Sequence, residues 1–181
     1  MSSLSVYHTS FPAQPNKVLT HVEDIASTLA AVGVQFERRE TTVILKPGAS
    51  QEDVLAACGA QLDGWMTEFA CTHTEVTSLD RRDPEKAERR AALLDEQRRG
   101  SEEVCFTLAG SLLVALHIDD YVYAIRCERH DLVRVPAGVA HWADIGEEPH
   151  VLAISLFKDA ASVASESTGS GIAQQYPGLD D

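Results

Sequence analysis

Basic residues are scarce. Fifteen Lys and Arg stand against 28 Asp and Glu, a formal net charge of −13. A surface of that sign repels phosphate backbones and anionic lipid, so neither nucleic acid nor membrane is expected as a partner. Long apolar runs are absent, and no stretch approaches the ~20 residues of a membrane span. The opening Met1-Ser2-Ser3-Leu4-Ser5-Val6 has neither a basic nor an apolar leader segment. Export is therefore not expected, and the cytoplasm is the expected compartment. Cysteine is limited to Cys58, Cys71, Cys105 and Cys127, with no Cys-x-x-Cys spacing. In a reducing compartment these read as small buried hydrophobes rather than as disulfides or a zinc knot. What is present is ordinary for a globular chain: 44% hydrophobic and 24% charged residues over 181 positions. That length fits one domain with a substantial core. The Arg-, Ala- and Asp-rich composition matches a high-GC bacterial source. A small-molecule substrate and a monomer or homodimer are expected.

The first half of the chain reads as helices with a few strands. Leu4 to Tyr7 is a short apolar run suited to an edge strand. Thr20 with Glu23 has the capping-box spacing, Val22, Ile25, Leu29 and Val32 follow on one helical stripe, and Gly33 suits the position after the helix. Ser50 precedes a second amphipathic stretch, Val54, Leu55, Cys58, Leu62 and Trp65, weakened by Gly59 and Gly64. Phe36 to Arg39 and Glu75 to Leu79 read as extended. Asp83-Pro84 starts a third, highly charged helix, predicted to run to about Gln97 with its charges in solvent. From Glu103 the pattern changes to short strands. Val104–Leu108, Ser111–His117, Tyr121–Arg126, Asp131–Val135, His141–Asp144 and His150–Phe157 follow one another across short Gly, Asp and Pro turns. Such spacing means a barrel or a sandwich.

Two segments frame this region. In the first, Gln97 and Arg99 stand two residues apart, Glu103 follows four further on, and Gly110 seven beyond that. The second is Pro136-Ala137-Gly138-Val139-Ala140-His141, followed by Trp142. The pair resembles the two motifs of the cupin superfamily, in which two His and one Glu of the first motif and one His of the second hold a divalent metal inside a small barrel. Further features resemble one cupin family, acireductone dioxygenase, over nearly the whole chain. They are Val34-Gln35-Phe36-Glu37-Arg38, the charged helix from Asp83-Pro84 into the first motif, Leu116-His117-Ile118 before an acidic turn, Val133 to Trp142, and the tail from Thr168 to Pro177. The resemblance implies a mainly β fold with N-terminal helices, a cupin double-stranded β-helix barrel of jelly-roll type. One cupin domain spans 1–181: a helical part over 1–100 with a few strands, a barrel core over 101–158 and a tail over 159–181.

The resemblance also implies an Fe²⁺ or Ni²⁺ enzyme that cleaves an acireductone, an enediol-ketone, with O₂. Glu103 matches the family's Glu ligand and His141 its last His ligand. Gln97 and Arg99 stand where the family has its other two His, and Cys105 stands where it has a substrate-binding Arg. Trp142 matches an aromatic that follows the last ligand. A neutral imidazole offers a lone pair to a metal. An amide oxygen is a weak donor, and a guanidinium offers none and carries a permanent charge. No metal or other cofactor is therefore expected. Were one present, Glu103, His141 and Gln97 would hold it.

If Arg99 points inward, its guanidinium lies near the vacated metal position and a bidentate pair with Glu103 can replace the metal–carboxylate bond. If it points outward, the pocket is vestigial. His141, freed of metal, can act as general acid or base, or serve as a hydrogen-bonded core histidine. Cys105 reads as a small buried thiol before it reads as a nucleophile. The expected catalytic residues are His141, Glu103 and Arg99, with Gln97, Cys105 and Trp142 lining the pocket. Glu102 and Arg98 read as solvated surface.

Three functions follow. The first is a metal-independent enzyme, moving protons on a small enolisable or anionic metabolite in an isomerisation, cyclisation, decarboxylation or dehydration. The second is a divergent Fe- or Ni-dependent dioxygenase. The third is a non-catalytic, metabolite-binding cupin.

Overall fold

The computed structural model describes residues 1–181. Its elements in chain order are β1 (Ser3–His8), β2 (Lys17–Leu19), α1 (Val22–Ala30), β3 (Gln35–Arg38), α2 (Gln51–Glu68), β4 (His73–Leu79), α3 (Lys86–Leu94), β5 (Gln97–Arg99), β6 (Glu103–Ile118), β7 (Tyr121–Glu128), β8 (Asp131–Val135), β9 (Ala140–Asp144), β10 (Val151–Phe157) and β11 (Ser165–Ser167). No helix is long and apolar enough to cross a membrane.

Two sheets share one strand. The sequence reads 104–108 and 111–117 as separate strands, but they are a single strand, β6, with Gly110 (φ +69°) in its middle. Its first half pairs with β10 and β8, and its second half with β7 and β9, all antiparallel. One sheet therefore runs β4-β10-β6-β8-β3, and the other β11-β5-β9-β6-β7-β1-β2. Leu4 to Tyr7 is not at an edge: β1 lies between β7 and the three-residue β2.

Strand alternation sorts the core into layers. Leu112, Val114 and Leu116 of the second sheet face Cys105, Val133, Val135 and Ala153 of the first, and this shared interior holds the barrel together. Ile25 and Leu29 of α1 pack into the same cluster. On the outside of the first sheet, Val104, Phe106, Leu152, Ile154 and Leu156 pack against Val54, Cys58, Leu62 and Trp65 of α2. Outside the second, Leu113, Ala115 and Trp142 pack against Ala173, Tyr176 and Leu179 of the tail. Each fully buried Leu or Ile contributes about 1.5–3 kcal/mol relative to an exposed one. The sheets thus have no face free of cover in these regions.

The helix ends are mixed. Ser50 accepts a hydrogen bond from the Asp53 amide at 3.1 Å, and Gly33 takes up the left-handed turn after α1. The box expected at Thr20 is absent: His21 is the N-cap of α1 and makes no side-chain cap bond. Helix α3 begins at Lys86 and stops at Leu94, three residues short of the expected end. The residues 97–99 pair instead as strand β5, against β9 on one side and β11 on the other. A strand neighbour on each side outweighs the helical propensity of three polar residues.

Helix α3 is tied down by charge. Arg90 donates to both oxygens of buried Asp144 at 2.7 and 3.2 Å. The Leu179 and Gly146 amides donate to the same carboxylate, each at 2.9 Å. Helix, barrel strand and tail thus meet at one anion. Burial alone would raise the pKa of Asp144, but Arg90 and the two amides outweigh it and hold it below the usual carboxylate value. A depressed folded pKa gives stability that is present above the unfolded value of about 4 and lost as pH falls through the folded one. Asp144→Asn is expected to lower stability by about 2–3 kcal/mol at pH 7. In urea titrations its deficit against wild type should shrink below pH 4. A deficit independent of pH would contradict the charge account.

Candidate functional site

The site is built on the inner face of four strands, β5, β6, β9 and β10. Residues two apart on a strand share a face, so Gln97 with Arg99, Glu103 with Cys105, and Ala153 with Ser155 and Phe157 all point the same way on their strands. The register brings Gln97 of β5 directly opposite His141 of β9. Glu103 is opposite Phe157 across β6 and β10, and Cys105 is opposite Ser155. The motif spacing thus gathers its side chains at one end of the barrel.

Arg99 points inward. Its Nη1 donates to Glu103 Oε2 at 2.8 Å and to His141 Nε2 at 3.0 Å. Its Nε donates to the Val163 carbonyl at 3.1 Å, and its guanidinium lies 5.2 Å from the Phe157 ring centroid. The pair with Glu103 is not bidentate as anticipated, because the same nitrogen serves both partners and the rest of the guanidinium faces Val163 and Phe157. Arg99 and Glu103 are only 14% and 15% exposed, so the ion pair is shielded from bulk water.

The imidazole of His141 is held by its other nitrogen. Nδ1–H donates to the Val139 carbonyl at 2.8 Å, which leaves the lone pair on Nε2. That nitrogen lies 3.7 Å from Glu103 Oε2. An acceptor nitrogen and a carboxylate oxygen therefore converge on one point, and an arginine nitrogen occupies it.

Behind this group is a cavity of about 60 Å³, lined among others by Glu103, Cys105, His141, Trp142, Ala153 and Ser155. It is room for a few water molecules. Trp142 borders it, but its ring packs outward against Tyr176, centroids 5.8 Å apart. Gln97 does not line it. The Gln97 Oε1 accepts from the Ser165 hydroxyl on β11 instead. Cys105 lines it as an inert group: burial first, and then the Glu103 charge, push its thiol up to about 12. At pH 8 iodoacetamide is expected to label Cys105 in the folded protein more than ~10³-fold slower than an ordinary cysteine. Mass spectrometry of native and urea-treated samples reads this directly, and fast native labelling would contradict it.

Several contributors escape a residue-type search. The Val163 and Val139 carbonyls are backbone, and no motif marks them. Phe157, Ser155 and Ala153 are marked only by the alternation of β10, where small residues face the cavity. Glu102 is not a free surface charge: Arg134 grips both its oxygens at 2.8 Å. Glu96 is buried and accepts from Thr168 and Ser170 of the tail and lies 3.1 Å from His117 Nδ1. This gives His117 a structural partner away from the Glu103 pair.

Comparison with known proteins supplies the rest. The model of the ARD/ARD' family matches residues 7–164. A protein of Pseudomonas syringae pv. syringae named acireductone dioxygenase is 54% identical over 181 residues, the whole of both chains. One of Stutzerimonas stutzeri with the same name is 52% identical, again over the whole of both. Among solved structures, acireductone dioxygenase from Bacillus anthracis, described with a cadmium ion in its active center, matches with a TM-score of 0.75. It is 18% identical, and the match covers 92% of this chain and 98% of the other. The cupin fold expected from the motifs is the fold observed.

These findings correct one expectation. No cofactor was expected, but relatives of this closeness named as dioxygenases, with a neighbour that holds a metal ion at its active center, point to metal use. The expectation rested on the residue types at four motif positions, and full-length relatives of this closeness outweigh it. The side chains as arranged here still do not fit an ion. No group of three or more His, Cys, Asp or Glu side chains is assembled. The Gln97 oxygen is engaged elsewhere, and a cation fills the space between the two remaining donors.

Proposed function

The chain belongs to the ARD/ARD' family, and from that premise we propose that it is a dioxygenase of the acireductone type, with a metal requirement like that of its relatives. The observation that carries this reading is identity of 51–54% to proteins of that name over the full length of both chains. Its substrate is an enediol-ketone, and both atoms of O₂ enter the products as a carbon–carbon bond breaks. No external reductant is needed, since the enediol supplies the electrons.

The residues of the site suit the substrate. An enediol must lose a proton before it gives electrons to O₂. His141 Nε2 carries the lone pair to accept that proton, and the Val139 carbonyl keeps the ring in the tautomer that does so. Arg99 places a fixed positive charge where the enediolate forms. Glu103 keeps that charge at the barrel mouth. The apolar walls, Leu112, Val114 and Val135, exclude water and strengthen each of these interactions. No step is assigned to the metal, because the donors present do not assemble around one.

The experiment is O₂ uptake by purified protein supplied with Fe²⁺ or Ni²⁺ and an acireductone generated anaerobically. One O₂ consumed per substrate at a rate well above buffer is expected. Uptake at the buffer rate with either metal, by folded protein, would remove the reading.

A further inference from the structure

We propose that the hollow where three loops meet over Ala109 of β6 binds a small oxyanion with two or more negative charges, of the phosphate-ester or diphosphate type. The hollow measures about 760 Å³ and is lined by the segments 45–47, 80–82 and 148–150. That volume falls within the roughly 300–1,000 Å³ of small-molecule sites, unlike the barrel cavity of about 60 Å³. The site lies outside the Arg99 group, and the proposal does not rest on the dioxygenase reading.

The hollow reverses the charge of the chain. Overall, 15 Lys and Arg stand against 28 Asp and Glu. Here Lys46, Arg81 and Arg82 line the walls, and Lys86 reaches the rim by donating to Glu148 at 2.9 Å. Against these four cations stand two carboxylates, Asp80 and Glu148. Both are already engaged: Arg82 donates to Asp80 at 3.2 Å, and Lys86 holds Glu148. Arg81 enters the local bonding only through its carbonyl, which accepts from Lys86 Nζ at 3.0 Å. Its guanidinium and the Lys46 ammonium are left without a carboxylate partner. An ammonium and a guanidinium are donors only, and phosphate oxygens supply the acceptors they lack.

The three loops are fixed before a ligand arrives. The Gly48 amide donates to Ser78 Oγ at 3.0 Å, which ties the first segment to β4. Gly48 sits at φ +94°, and a Cβ there would lie 2.9 Å from the Asp80 carboxylate, so only glycine lets the two loops approach this closely. Asp80 in turn closes its own turn by accepting the Arg82 amide at 2.8 Å. Lys86 bonds both the Arg81 carbonyl and Glu148, and so joins the second segment to the third. The His150 carbonyl accepts the Ser111 amide at 3.0 Å and holds the third segment to β6. Asp80 and Glu148 thus serve to build the walls. Binding then has to order only the Lys46 and Arg81 side chains.

The surroundings select the size and kind of anion. A long polyanion would have to cross the rest of a surface that carries −13 in all, and that surface repels it. A small anion meets only the cations of the hollow. No Phe, Tyr or Trp lines the walls, so nothing there stacks on a nucleobase, and recognition falls to charge and hydrogen bonds. The His150 imidazole lines the same hollow and offers an N–H in either tautomer.

The test is calorimetric titration of the full chain with sodium pyrophosphate at low ionic strength. Wild type is expected to bind one pyrophosphate with a Kd below about 1 mM, and Lys46→Gln combined with Arg81→Gln to bind it at least about tenfold more weakly. No binding by wild type at about 10 mM pyrophosphate would overturn the proposal, and so would equal affinity in the double variant. Citrate separates two kinds of oxyanion: weaker binding than pyrophosphate supports the phosphate type, and tighter binding overturns it. Wild type gives an independent reading should the double variant fail to fold. Pyrophosphate at about ten times Kd leaves about one site in eleven empty, so acetylation of Lys46 should slow at least about threefold. Mass spectrometry reads this against Lys17 on β2, whose rate should not change. Equal rates at Lys46 with and without pyrophosphate would overturn the site. None of these measurements uses O₂ or a metal, so a protein that passes them and consumes no O₂ with acireductone loses the dioxygenase reading and keeps this one.

Discussion

Gly110→Ala is expected to leave the protein unable to hold its native state, at a cost above about 4 kcal/mol. Gly110 sits at φ +69°, a region where an alanine is strained by roughly 1 kcal/mol or more. Steric overlap costs more than this strain. A Cβ there would lie 1.8 Å from the His150 carbonyl oxygen and 2.6 Å from its carbon. Both are backbone atoms, and the same oxygen accepts the Ser111 amide at 3.0 Å, so it cannot retreat without breaking that hydrogen bond. The clash falls where β6 passes from one sheet to the other. A shift there moves both sheets, and Glu103 with them. Domains of this size hold only about 5–15 kcal/mol in all. Urea unfolding monitored by circular dichroism is the measurement, with Gly100→Ala as the comparison. A Cβ at Gly100 meets nothing within 4 Å, and that variant should stay within about 0.5 kcal/mol of wild type. A Gly110→Ala midpoint equal to that of wild type would show that the strand can bend elsewhere.

That glycine illustrates what was legible in the sequence. Its place seven residues after Glu103 belongs to the motif frame, and the frame led to the barrel. What the frame could not give was the reason, the carbonyl of His150, just before β10 and some forty residues later. The strands themselves were readable because period-two alternation and Gly or Pro turns are local signals. The short strand β5 was not, since Gln97, Arg98 and Arg99 have no alternation of their own and take their form from β9 and β11. The inward turn of Arg99 was open for the same reason. Its anchors, Val163 and Phe157, lie some sixty residues on, and nothing in composition joins them. The metal expectation failed at a different level. Residue types were read correctly at all four motif positions, but ligand chemistry was inferred from type alone, and full-length relatives named as dioxygenases point the other way.

The largest functional effect is expected at His141. His141→Ala should lower O₂ uptake on acireductone by about 10²–10⁴-fold, the range for loss of a positioned proton acceptor. The imidazole is 6% exposed, its Nδ1–H is held by Val139, and its Nε2, which accepts from Arg99, is the imidazole nitrogen beside the cavity. His141→Gln separates two roles. A glutamine side chain can still accept the Arg99 hydrogen bond, so folding should suffer less than in the alanine variant, but an amide does not take a proton at neutral pH. If proton transfer is what His141 supplies, both variants lose turnover equally. If it only fills space and steadies Arg99, glutamine restores most of the rate. His8→Ala serves as a reference: that imidazole accepts from the Ser10 amide at the end of β1 and packs on Tyr121, and its loss should leave uptake unchanged. Turnover near wild type in His141→Ala would move the proton acceptor to another residue, with Glu103 the first to examine because its Oε2 lies 3.7 Å from the same nitrogen.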